Sequence, residues 1–169
     1  GTWMLDGAPL ELDIVTYSGR AELPPTAELT QAFLQAIGIK ANIRVGEYGA
    51  SNDAIVAGEA DMFLQAWVTT PQGDPGAVLE ALVKSGGGSN AGGYSNAALD
   101  QLLADGRTTF NHDARKAIYD EVQQIIASDA ALIPVFHVAQ TNVARAGLTG
   151  YRVHPTETYW ITHETALTE

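Results

Sequence analysis

The sequence predicts an α/β fold, a βαβ-type mixed sheet flanked by helices. Three consecutive stretches carry that expectation. "LELDIVTYS" (10–18) alternates apolar with polar residues and is rich in β-branched types, the pattern of a half-buried strand. "PPTAELTQAFLQAIG" (24–38) sets Leu29, Phe33 and Ile37 at helical spacing, with a proline pair at the entry and Gly38 as the stop. "IKANIRVGE" (39–47) returns to period two, with Ile39, Ala41, Ile43 and Val45 on one face. Strand, helix and strand so closely spaced make a βαβ unit.

The pattern continues downstream. "SNDAIVAGEA" (51–60) reads as a short helix capped by Ser51 or Asn52 and ended by Gly58. "ADMFLQAWV" (60–68) is apolar enough for a buried parallel strand. A helix follows from Asp74 to about Lys84, with Asp74 as N-cap and Pro75 at the first helical position. The Gly-rich stretch 85–96 is loop. Helices are expected over 96–109 and 112–129; the second carries Ala114, Ile118, Val122, Ile125 and Ile126 on one face, expected to pack on the sheet. Stretches 131–140 and 141–146 resemble strands, although Pro134 suits only an edge. After "GLTGYRVHPTETYWIT" (147–162) the polar tail has no clear pattern.

Composition narrows the function. The 169 residues carry nine basic against twenty acidic side chains, a net charge of −11. A chain so short of cations is no partner for nucleic acid or anionic lipid. With no cysteine, disulfides and thiolate metal sites are excluded. The histidines, His112, His137, His154 and His163, show no ligand spacing, and His137 after "LIPVF" reads as a buried core histidine. No Gly-x-Ser-x-Gly elbow occurs, so catalysis is not expected. No metal and no cofactor is called for.

One residue points to binding. Trp67 closes a predicted strand and opens the polar bend "VTTPQG", and open α/β sheets place ligands at the carboxyl ends of their strands. Thr69, Thr70 and Gln72 in that bend offer neutral hydrogen bonds. Tyr17 and Arg20 end the first strand at the same kind of edge, and Arg20 suits a carboxylate. Asn90 and Tyr94 in the Gly-rich loop are further cleft candidates. Asp74 reads as a helix cap rather than a ligand contact.

Four segments in order resemble the extracytoplasmic solute-binding proteins of ABC transporters in the peptide/nickel family. They are "LTQAFLQAIGIKANIRV", "AGEADMFLQAWVTTPQGDPGAVLEAL", "GGYSNAALDQLL" and "RKAIYDEVQQIIASDAALIPVFH". The resemblance implies one lobe of a two-lobed periplasmic-binding-protein fold: residues 1–146 as the second, ligand-binding lobe, and 147–169 as a segment returning toward a first lobe outside this chain. It implies a location outside the cytoplasm, closure of two lobes on a solute, and delivery to a membrane permease by the full-length protein. It also places Trp67 by the cleft.

Two departures shape the ligand expectation. Dipeptide binders of the family carry an acid in the bend, where this chain has Thr69, Thr70, Pro71 and Gln72; nickel binders carry a histidine in the loop matching 85–95, which has none. The expected ligand is therefore a small polar organic solute, peptide-like, opine-like or an oligosaccharide. A sensory or protein-interaction module on the same lobe is the alternative. An isolated lobe exposes an apolar inter-lobe face through which it can self-associate.

Overall fold

The computed structural model describes residues 1–68, 73–139, 141, 143–152 and 161–168. The chain divides into two compact units, Gly1–Trp67 and Val68–Glu169.

The first unit opens with a hairpin of β1 (Met4–Leu5) and β2 (Ala8–Pro9). Asp6 and Gly7 both take positive φ, 49° and 83°, as a tight two-residue hairpin turn requires. β3 (Glu11–Tyr17) then runs parallel to β4 (Lys40–Gly46), paired from Glu11 opposite Lys40 to Tyr17 opposite Gly46. Helix α1 (Leu23–Ala36) makes the crossover, and Gly38 at φ 89° follows it. On its other side β3 pairs in parallel with β5 (Met62–Phe63), at Ile14–Met62 and Val15–Phe63 only. The order is β4-β3-β5. Because β3 is central, burial runs unbroken from Ile14 to Tyr17 instead of alternating. Ile14, Ala27 and Ala41 form the core here, with Leu34, Ile43, Met62 and Leu64 around them.

Three expectations change in this unit. Leu29, Phe33 and Ile37 face outward, Phe33 at 70% exposure. α1 carries a second row, Leu23, Ala27 and Leu34, and the small Ala27 allows that row the closer approach to the sheet. Helix α2 (Tyr48–Val56) starts three residues before Ser51, so Ser51 is no cap; it is buried inside the helix and donates to the Thr16 carbonyl at 2.9 Å. The third strand is short. The Leu64 N–H still reaches the Val15 carbonyl, but the Leu64 carbonyl accepts from the Thr16 hydroxyl at 2.9 Å, so a side chain replaces the backbone ladder.

The second unit is helical: α3 (Gly76–Val83), α4 (Ala97–Thr108) and α5 (His112–Asp129). Asn96 and Asn111 cap α4 and α5, their side-chain oxygens accepting N–H groups of Ala98, Leu99 and Ala114. Val83, Leu99, Leu103, Tyr119, Val122 and Ile126 make the core. The apolar face of α5 was expected on a sheet; it packs on α4, which in turn packs on α3. Tyr119 joins that face, because a side chain at Gly106 would put its Cβ 3.1 Å from the Tyr119 ring.

No strand forms among the described residues of 131–146, and Ile133, Val135, Phe136 and Val143 are exposed. The composition suits a strand, but Pro134 removes one donor and no neighbouring strand pairs with the stretch among the described residues. His137 is exposed too, against the expectation of a buried histidine. Beyond 146 a second antiparallel ladder forms, β6 (Leu148–Thr149) with β7 (Ala166–Leu167), the latter in the tail that shows no sequence pattern. Gly150, at φ 66°, permits it: a Cβ there would collide with the Glu164 carbonyl oxygen. Among the described residues no helix is long and apolar enough to cross a membrane.

Leu99→Ala is expected to cost about 2–5 kcal/mol, because it empties a fully buried site. Phe33→Gln is expected to change stability by less than about 0.5 kcal/mol, as for a surface position. Urea unfolding followed by circular dichroism reads both; equal losses would contradict the outward placement of the α1 stripe.

Candidate ligand-binding site

Parallel strands with a crossover helix bring their carboxyl ends to one edge, and Tyr17 stands at the end of the central strand. Its side chain is enclosed, only 6% exposed. The ring meets Tyr48 edge-on, centroids 5.1 Å apart, and Phe63 at 6.3 Å. The hydroxyl accepts the Ala66 N–H at 3.3 Å. Tyr17 therefore touches the chain one residue before Trp67. Trp67 is half-buried; its indole N–H is sealed from solvent and has no acceptor among the described residues. Arg20 is half-buried in the turn ahead of α1, where its carbonyl accepts the Leu23 N–H. Thr69, Thr70 and Gln72 lie outside the described residues. Tyr48 and Phe63 were missed by sequence reasoning, although Phe63 shares the apolar run that ends at Trp67.

Beyond the bend, Asp74 does structural work. One carboxylate oxygen accepts the Gly76 N–H at 2.8 Å and the other pairs with the Arg115 guanidinium. Pro75 is the residue immediately before α3, so Asp74 secures the helix from one position further out than expected. Arg115 in turn lies 5.6 Å from the centroid of the Tyr119 ring. Gly76 has no room for a side chain, since a Cβ would fall 2.6 Å from the Tyr119 hydroxyl oxygen. Arg115 and Tyr119 gave no signal in the sequence, because an ion pair across 41 positions leaves no local periodicity.

The Gly-rich loop is stapled. The Asn90 amide nitrogen donates to the carbonyls of Lys84 and Tyr94, and its oxygen accepts the Tyr94 N–H. The Ser85 and Ser95 hydroxyls meet at 2.9 Å, and the Ser85 N–H donates to Asp100. At the far end the Tyr94 hydroxyl donates to Asp129 at 2.6 Å, and the Asn96 amide donates to the same oxygen at 2.9 Å. These two donors, Tyr94 first, hold the Asp129 carboxyl below its ordinary value of 3.8. The structure thus joins Asn90 to Tyr94, and separately Tyr17 to the approach of Trp67.

A solvent-open depression of about 380 Å³ lies between the end of α3 and Ser85–Gly88. None of the residues singled out as candidate contacts lines it, and its width and polarity suit a surface notch better than a ligand site. Among the described residues no cluster of three histidine or carboxylate side chains is placed to hold a metal.

A carboxyl with a depressed pKa stabilises the fold fully above its unfolded pKa, and that contribution disappears as pH falls through the folded value. Removing the donor by Tyr94→Phe should therefore lower stability by a constant amount above about pH 5, a gap that narrows below about pH 4. Thermal unfolding of both proteins across pH 3–7 reads this. A gap independent of pH would show that the hydroxyl does not act through ionised Asp129.

The profile of bacterial extracellular solute-binding proteins, family 5 (middle), matches residues 1–90. The chain is 35% identical to a probable di/tripeptide-binding protein 5 of Pseudomonas aeruginosa, over 86% of this chain and 29% of that protein. It is 26% identical to the nickel-binding protein NikA of Staphylococcus aureus, over 94% of this chain and 32% of that one. The solved structure of OppA from Burkholderia pseudomallei superposes with a TM-score of 0.79 at 17% identity, covering 97% of this chain and 32% of OppA, which shows the fold: part of a lobe of the periplasmic-binding-protein type. The chain thus spans under a third of the length of each relative, and these relatives are binding proteins, not enzymes. With the family profile matched over more than half of its length, the chain belongs to the bacterial extracellular solute-binding proteins of family 5.

Proposed function

We propose that the chain is the ligand-binding lobe of an ABC transporter solute-binding protein that works outside the cytoplasm, captures a small polar organic solute and delivers it to a permease. Residues 1–146 form the lobe in this reading, and 147–169 return toward the remainder of the protein. The observation that carries it is the parallel strand edge at Tyr17, beside which the chain runs into half-buried Trp67. Trp67 supplies an apolar wall. Thr69, Thr70 and Gln72 supply neutral hydrogen bonds, and Arg20 an anion contact from the neighbouring strand end. Asn90 and Tyr94 serve through the loop they brace.

Relatives named for di- and tripeptides and for nickel bracket the ligand class. Without a carboxylate in the bend, an α-ammonium loses its ion pair, and without a histidine in 85–95 a nickel complex loses a ligand. A peptide-like, opine-like or oligosaccharide solute fits what remains. Capture involves no bond chemistry: the solute favours the closed arrangement of two lobes, and that arrangement is what a permease recognises. A lobe alone binds weakly, because it lacks the second wall.

Native mass spectrometry of the gently purified full-length protein tests the proposal. A small organic molecule released on denaturation, and absent from Trp67→Ala, is the expected result. Tight binding of ordinary dipeptides in direct titration would contradict the ligand class. A protein that stays empty across peptides, sugars and metal chelates would contradict the solute-binding role.

A further inference from the structure

The backbone of the third strand leaves the sheet early. Its last ladder bond runs from the Leu64 N–H to the Val15 carbonyl at 3.0 Å, and the Leu64 carbonyl is taken by the Thr16 hydroxyl. The next tie between this segment and β3 among the described residues is the bond from the Ala66 N–H to the Tyr17 hydroxyl. A side chain at the end of the central strand has thus taken over the part of a backbone carbonyl. That side chain is itself fixed: it is 6% exposed, its ring is wedged edge-on against Tyr48 at 5.1 Å, and Phe63 packs at 6.3 Å. An acceptor with so little freedom holds its donor at a defined place, since ordering costs have been met by the aromatic packing. The residue after that donor is Trp67, whose indole N–H is sealed from water.

We infer that Tyr17 is a positioning residue for Trp67: its hydroxyl pins the Ala66 amide and so sets where the tryptophan emerges from the sheet edge. This rests on the reading of Trp67 as a wall of the ligand site. It assigns Tyr17 a role exerted through the backbone, one that a buried phenol can fill whether or not it touches solute. The specificity of the site then depends on a residue that contributes shape by holding another in register.

The experiment compares the chain with its Tyr17→Phe variant, which keeps the aromatic packing and deletes only the acceptor. Amide hydrogen exchange by NMR reads Ala66 and Leu64 side by side, and the Trp67 indole N–H resonance reads the ring. The expected result is exchange at Ala66 faster by about tenfold, unchanged exchange at Leu64, and a shifted Trp67 indole signal. Unchanged exchange at Ala66 overturns the inference. Equal acceleration at Leu64 and Ala66 also overturns it, because the hydroxyl would then support the whole sheet edge. An unmoved Trp67 signal overturns the link to the tryptophan. No ligand enters this measurement, so its failure is distinct from a failure of Trp67 as a ligand contact, which Trp67→Ala reads separately.

Discussion

A strand in the middle of a parallel sheet must satisfy donors and acceptors on both of its edges, and β3 does so unequally. Toward β4 it is paired along its whole length, whereas toward β5 only Ile14 and Val15 have partners. On that edge the Asp13 carbonyl also accepts the Asp61 N–H, and further on side chains tie β3 to its surroundings. The Thr16 hydroxyl donates to the Leu64 carbonyl and the Tyr17 hydroxyl accepts the Ala66 N–H, both from the segment that follows β5, while Ser51 of α2 donates to the Thr16 carbonyl. Backbone groups left unpaired away from water cost about 1–3 kcal/mol each, so these hydroxyl bonds offset a cost where the β5 ladder stops short. They also free the chain after Leu64 from strand geometry, which allows it to turn into the bend that begins at Trp67.

The helical unit meets a comparable constraint in a different way. Tyr119 is a large polar-tipped ring in a core otherwise made of aliphatic side chains, and it fits because Gly76 and Gly106 both leave room for it. Arg115 lies against the same ring and pairs with Asp74, which secures the start of α3. One aromatic side chain therefore connects the packing of α4 and α5 to the placement of the residue that follows the bend. On the other side of the unit, Asn96 caps α4 with its oxygen and holds Asp129 with its nitrogen, so a single amide serves both helix start and loop closure.

The βαβ order, both asparagine-capped helices and the span of α5 are legible in the sequence because each is a local signal: periodicity, a cap, a stop. The direction in which α1 faces is not. Leu29, Phe33 and Ile37 form the better stripe, yet Leu23, Ala27 and Leu34 are the row turned to the sheet, and only the sheet's own shape selects between them. The Asp6-Gly7 pair of the first hairpin is itself a local turn signal. The β6–β7 ladder joins residues too far apart for pattern alone, and the stretch 131–146 has strand composition without a strand. At the candidate site, Trp67 and Tyr17 are singled out from expected strand ends, of which Tyr17 ends β3 whereas β5 stops at Phe63, and the rings of Tyr48 and Phe63 and the Asp74–Arg115 pair meet only in three dimensions.

Membership in family 5 makes the strand edge, rather than any reactive group, the place to look for function, since solute capture asks for shape and hydrogen bonds and not for shifted pKa values. What Trp67 faces decides whether it is a ligand wall or a core residue. A crystal structure of the full-length protein with its copurified solute decides that most directly. The solute is predicted to lie in van der Waals contact with the Trp67 ring, at the carboxyl edge of β3. A solute bound elsewhere, with Trp67 enclosed only by protein, would contradict the account and leave the tryptophan as a core residue near a turn.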